Sequence, residues 1–194
     1  MDILSSQISK WRELSKSHGT PFFAFTMIRE PISFLISYFN FFYVHCSDTW
    51  CEHTDYNLTE IDLLKAMTRI PNRQCFLLKH LSSIEGMDPY FYDQCSVTGE
   101  DCRNSYATLT ETMDWIGTTE GLSTETIPLL QHILFANKTD ERTVKKQNVH
   151  DKSSFKESLQ ESTLQILRSK TTHDQWIYDE VKARYTPHLL NLQL

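Results

Sequence analysis

The sequence has no surplus of basic residues. Its 19 lysines and arginines face 25 aspartates and glutamates, leaving a net charge of −6. A general nucleic-acid binder needs the opposite balance, so only a local basic patch stays open. No run of apolar residues is long enough to span a membrane: the longest, around 34–44, is broken by Ser37 and Asn40. Residues 1–20 lack the basic start and long apolar centre of a secretory leader. No CxxC occurs, and the five cysteines, at 46, 51, 75, 95 and 102, suit no common zinc spacing. There is no GxxxxGK[ST] loop, which counts against a nucleotide kinase. There is also no internal repeat, low-complexity tract or linker, so residues 1–194 are expected to form one domain.

What is present is the composition of a globular protein, 40% hydrophobic and 12% aromatic. Cys46 and Cys51, and likewise Cys95 and Cys102, lie close together in polar, loop-like stretches. An odd count leaves at least one thiol free or paired outside this chain. With the sequons at Asn57 and Asn137, the loop cysteines tilt the chain towards a secretory-pathway lumen. The plain alternative is a cytosolic protein with reduced thiols and unused asparagines.

Leu4, Ile8, Trp11 and Leu14 recur at helical spacing, which predicts an amphipathic helix over about 2–17. The chain thus begins inside structure: either it is cytosolic or an N-terminal region is missing. Phe22, Phe23, Phe25, Met27 and Ile28 are almost continuously apolar, as in a parallel strand buried on both faces. Pro31 opens a helix expected to reach about Tyr43. A polar loop over 45–58 precedes a helix starting at Thr59, with Glu60 and Asp62 in its first turn. Residues 72–83 form a short helix, 84–103 an irregular stretch, and 104–113 another helix. "DWIGTTE" (114–120) gives a second strand, followed by a helix over 124–135, a basic segment over 141–152 and two final helices. Strands alternating with helices predict an α/β fold with a parallel sheet and flanking helices. Two convincing strands are few for such a sheet, which fits a chain incomplete at its N-terminus.

The segment "FFAFTMIREPISFLISYFNFF" (22–42) carries the chemistry. A strand feeding a helix places its last residues in the crevice where α/β proteins bind ligands. The free N–H groups of the following helix make a natural anion site. Arg29 adds a planar fork suited to phosphate, and Ser37, two turns into the helix, offers a hydroxyl. An equally simple alternative pairs Arg29 with Glu30 or another carboxylate.

"FTMIREPISFLISYFNFF" resembles the 3′-phosphate-binding segment of sulfotransferases that use 3′-phosphoadenosine 5′-phosphosulfate (PAPS). It is most similar to the Golgi carbohydrate type that includes heparan sulfate 2-O-sulfotransferases. Arg29, Glu30, Pro31, Ser37 and Tyr38 fill the family's pattern; many members carry a second arginine where this chain has Phe34. "DWIGTTEGLSTETIPLLQHIL" (114–134) resembles the family's later strand-loop-helix, and Asn72 and Gln74 sit where members often have an asparagine–glutamine pair. The C-terminal order is also similar, with Asp174 and Tyr178 as an Asp-x-x-x-Tyr helix. The likeness covers about residues 20–185. It implies a P-loop nucleotide-kinase-like sulfotransferase architecture lacking its N-terminal strand-loop-helix, PAPS as donor, no metal, and a glycan acceptor. It also implies a type II membrane protein of the Golgi lumen, anchored through a region absent from this chain; the alternative is the cytoplasm. Arg29 and Ser37 become cofactor-binding residues, and the basic loop adds Lys145 and Lys146, with Asn148 behind them.

The family's Pro-Lys loop for the 5′-phosphosulfate has no counterpart. Lys16, Gly19 and Thr20 look superficially like it, but they lie between a helix and a strand and read as a turn. The catalytic base is unknown: the region where the family places it, residues 1–11 here, has no histidine, His18 lies nearer the strand, and the base is expected before Met1. The chain alone is therefore expected to be inactive. The competing expectation is a non-catalytic relative that binds adenosine 3′,5′-bisphosphate or glycan.

Overall fold

The computed structural model describes residues 3–39, 59–68, 71–80, 97–135 and 158–191. In chain order the elements are α1 (Ile3–His18), β1 (Phe25–Ile28), α2 (Pro31–Phe39), α3 (Glu60–Met67), α4 (Arg73–His80) and α5 (Gly99–Thr112). They continue with β2 (Trp115–Thr118), a π-helical turn (Leu122–Thr126), α6 (Ile127–Phe135), α7 (Glu161–Lys170) and α8 (Thr172–Asn191). β1 and β2 are parallel neighbours, with Phe25 opposite Trp115 and Ile28 opposite Thr118. Two expected strands thus form one parallel pair, and helices surround it: a mostly helical α/β arrangement. Among the described residues no helix is long and apolar enough to cross a membrane.

β1 departs from expectation. It starts at Phe25 rather than at 22 and is not buried on both faces: Phe22 is 36% and Phe25 45% exposed. Among the described residues β1 has a strand on one side only, so the apolar run covers its outer end incompletely. β2, by contrast, is buried along its whole length.

Each helix end has a local cause. Gly19, at φ 65°, ends α1 in a turn where Gly19 N donates to Lys16 O and Thr20 N to Ser15 O. That is the double bond of a Schellman stop, which needs a left-handed residue and favours glycine. Lys16, Gly19 and Thr20 therefore form a helix stop, as read from the sequence. Thr59 caps α3 by accepting from Asp62 N. α5 begins at Gly99, inside the stretch expected to be irregular, because Thr98 and Asp101 form a capping box. Asp101 N donates to Thr98 Oγ1 at 3.1 Å and Thr98 N donates to the Asp101 carboxylate at 2.9 Å. The Thr98 N–H, with Lys79 behind it, holds the Asp101 carboxyl down to about 2.

One apolar cluster surrounds the sheet, with Ile28, Trp115 and Ile116 packed on Phe76, Leu109, Leu129, Ile177 and Val181. A second joins α2, α3 and α7 through Ile32, Leu35, Phe39, Leu63, Met67 and Leu167. Cys102, placed by the sequence in a polar loop beside Cys95, is instead fully buried in α5 and disulfide-bonded to Cys75 of α4. Cys46, Cys51 and Cys95 lie outside the described residues.

Gly117 sets how closely the π-helical turn approaches β2. A Cβ there would lie 2.4 Å from Thr126 Oγ1 and 2.8 Å from Met27 Sδ. Thr126 is fully buried and cannot retreat. Gly117→Ala is expected to cost about 1–3 kcal/mol by overpacking. Denaturant unfolding checks this; a variant as stable as the parent would mean that the turn yields.

Candidate functional site

The site lies at the C-terminal ends of the two strands, where each runs into a helical element. β1 leads through Arg29 and Glu30 into α2. β2 leads through Thr119, Glu120 and Gly121 into the π-helical turn.

The start of α2 is not an open anion site. Glu30 folds back on it, its carboxylate accepting from Ile32 N at 3.1 Å, Ser33 N at 2.8 Å and Ser33 Oγ at 2.6 Å. The N–H groups expected to receive a ligand are thus partly spent on the chain's own carboxylate, which complements the same dipole. An anion at this edge must rely on side chains.

Capping also keeps Glu30 from neutralising Arg29. Among the described residues the Arg29 guanidinium donates no hydrogen bond and forms no ion pair, and its Nε is buried without a partner. The Arg29 backbone, in contrast, is held on both sides. Its N donates to Gln74 Oε1 at 3.1 Å, and its carbonyl accepts from Gln74 Nε2 at 2.8 Å. The Gln74 amide thus continues the peptide pairing of the sheet for one more residue. Ser37 is half-buried, one helical turn beyond Ser33 on the same stripe of α2. Ser37 is itself engaged in the fold. Lys145, Lys146 and Asn148 lie outside the described residues.

Two residues from the proposed likeness meet in space. Asn72, buried and left-handed at φ 52°, accepts at Oδ1 from His173 N at 2.8 Å and Asp174 N at 3.4 Å, capping α8. Asp174, 1% exposed, returns the favour to α4: its carboxylate accepts from Gln74 N at 3.0 Å and Cys75 N at 2.8 Å. Each helix start is completed by a side chain from the other. Burial outweighs these two bonds and the nearby Arg73 charge, and lifts the Asp174 carboxyl to about 6.

Glu120 closes the far side. Glu30 N donates to its carboxylate at 3.3 Å, Thr119 Oγ1 at 3.0 Å and Tyr178 OH at 3.2 Å. Burial, reinforced by the Glu120 charge, pushes the Tyr178 phenol up to about 12, so it stays a donor. A cleft of about 750 Å³ runs alongside, lined by Glu30, Ile32, Leu164, Arg168, Thr172 and Gln175 among others. Neither Arg29 nor Ser37 lines it.

Sequence reasoning missed Arg73, Glu120 and the capping role of Asp174. Asn72 directly before α4 reads as a cap of that helix, but its side chain caps α8 instead. His18, the one histidine near the expected base position, is exposed on the last turn of α1, with Nδ1 2.8 Å from Leu14 O. No family model, curated protein or solved structure matches the chain.

Proposed function

We propose that this chain holds the 3′-phosphate of PAPS and supplies that half of the donor site in a carbohydrate O-sulfotransferase, whose acceptor is a hydroxyl of a glycan. The observation that carries this reading is the Arg29 guanidinium, set at the end of a parallel strand with no counter-charge among the described residues. A partly buried cation without a partner is costly unless a ligand supplies one. Ser37 completes the phosphate site from α2, and the family likeness adds Lys145 and Lys146, outside the described residues, as further proposed contacts. The fold is then a P-loop nucleotide-kinase-like sulfotransferase. The cleft beside Glu30, lined by Arg168, Thr172 and Gln175, is where an acceptor sugar would sit. The Cys75–Cys102 bond suits an oxidising lumen such as the Golgi.

A second reading is a non-catalytic relative that binds adenosine 3′,5′-bisphosphate. It is favoured by the two strand-to-helix turns described here: Arg29-Glu30 and Thr119-Glu120-Gly121 contain no lysine to neutralise a leaving 5′-phosphate.

Titration calorimetry with adenosine 3′,5′-bisphosphate tests the shared core of both. Arg29→Ala is expected to weaken binding about tenfold or more, the loss of one charge-assisted contact. Equal affinity in the variant removes Arg29 from the site. Radiolabelled PAPS with desulfated glycans, offered to the full-length protein rather than to this chain alone, separates the two readings, since only an enzyme labels the glycan.

A further inference from the structure

We propose that Arg73 is the second arm of the anion site, and that Arg29 and Arg73 together grip one phosphate dianion. The inference deepens the cofactor reading above and rests on it for the identity of the ligand, but not for the existence of the anion site.

Arg73 is 6% exposed, yet among the described residues its guanidinium donates no hydrogen bond and forms no ion pair, and its Nε is sealed without a partner. The nearby Asp174 acts on it through charge but makes no hydrogen bond or ion pair with it. Both oxygens of Asp174 are taken by Gln74 N and Cys75 N. What Arg73 has is the ring of Tyr38, with Cζ 4.2 Å from its centroid. Such a contact uses the flat face of the guanidinium and leaves the N–H donors along its edge unspent. Those donors match the oxygens of a phosphate, which a guanidinium takes two at a time.

Position links the two arginines. Gln74, the residue after Arg73, clamps the Arg29 peptide from both sides, so α4 carries Arg73 to the end of β1 with little freedom. Tyr38, on which Arg73 lies, follows Ser37 directly in α2. Arg29, Ser37 and Arg73 therefore come from three elements locked to one another, and neither guanidinium forms an ion pair among the described residues. Arg73, more than nine-tenths buried, keeps donors that no group among the described residues uses, and a phosphate dianion reached also by Arg29 would engage them.

The test uses the whole chain with two probes, adenosine 3′,5′-bisphosphate and inorganic phosphate, read by calorimetry and by thermal protection. The variants are Arg29→Ala and Arg73→Lys. The lysine keeps charge and the contact with Tyr38 but loses the two-pronged edge, and circular dichroism confirms that it folds. Adenosine 5′-monophosphate, lacking the 3′-phosphate, is the control ligand. Loss of about tenfold or more in bisphosphate affinity in both variants, with the monophosphate unaffected, supports the proposal. If only Arg29→Ala loses affinity, Arg73 is structural and the proposal is overturned while the cofactor reading stands. If the bisphosphate does not bind, but phosphate protects the parent chain and not Arg73→Lys, the cofactor reading fails and the two-arginine site stands. If neither probe binds, both fall.

Discussion

Reduction of the Cys75–Cys102 bond is expected to lower stability by about 3–4 kcal/mol, from the entropy that a link across a 27-residue separation removes from the unfolded chain. For a chain of this size that corresponds to roughly 10 °C in melting temperature. In the folded chain the bond ties α4, which carries Gln74 and Arg73, to α5. Both sulfurs are fully buried, so reductant reaches them only on opening. The measurement is a pair of melts with and without reductant. It is repeated on the Cys75→Ala, Cys102→Ala double variant, in which reductant should no longer matter. A parent chain that melts at the same temperature in both buffers would show that the two thiols are not joined.

Asp174→Ala is the second large effect. The substitution strips the start of α4 of its cap and leaves the N–H groups of Gln74 and Cys75 buried without acceptors. At pH 8 the expected cost is about 2–3 kcal/mol. The cost should grow as pH falls. The folded-state pKa of about 6 lies above the ordinary 3.8, so the folded protein binds the Asp174 proton more tightly than the unfolded chain. That contribution is fully present below the unfolded value and is lost as pH rises through about 6. Between pH 8 and pH 5 the difference between parent and variant should therefore widen by about 1.4 kcal/mol. Asp101 works in the opposite sense. Its carboxyl, held down to about 2, supports the fold above the ordinary 3.8 and loses that role only as pH falls through about 2. Urea titrations at several pH values check this. A gap that narrows towards acid would mean that the two backbone bonds outweigh burial at Asp174.

The parts of this structure legible from sequence were those with local causes. The parallel pairing of 25–28 with 115–118 followed from two apolar runs that each feed a helix. The Thr59 cap and the Gly19 turn followed from single residues with one strong conformational habit. α5 starts earlier than the sequence predicts because Thr98 and Asp101 carry a capping box across Gly99. The exposure of Phe25 was hidden because an apolar run reads the same whether or not a neighbour covers it. At the site, Arg29 was legible as a strand-end cation. The spending of Glu30 on α2 was not anticipated, since a carboxylate beside an arginine reads equally well as its ion-pair partner. Arg73 was invisible for a different reason. In the sequence it is one more cation on an amphipathic helix, and only the fold lays it on Tyr38.

The mutual capping of α4 and α8 also orders events during synthesis. Asn72 and Asp174 are 102 residues apart. At typical elongation rates of about 5–20 residues per second, α4 leaves the ribosome roughly 5–20 s before the carboxylate that completes its first turn. Cys102 emerges much earlier, so the thiols of α4 and α5 have time to meet while the rest of the chain is still being made. The disulfide then holds α4 in place as a docking surface, and α8, made about a hundred residues later, finds a waiting partner. The Gln74–Arg29 clamp, which depends on α4 being seated, becomes permanent only when that helix arrives.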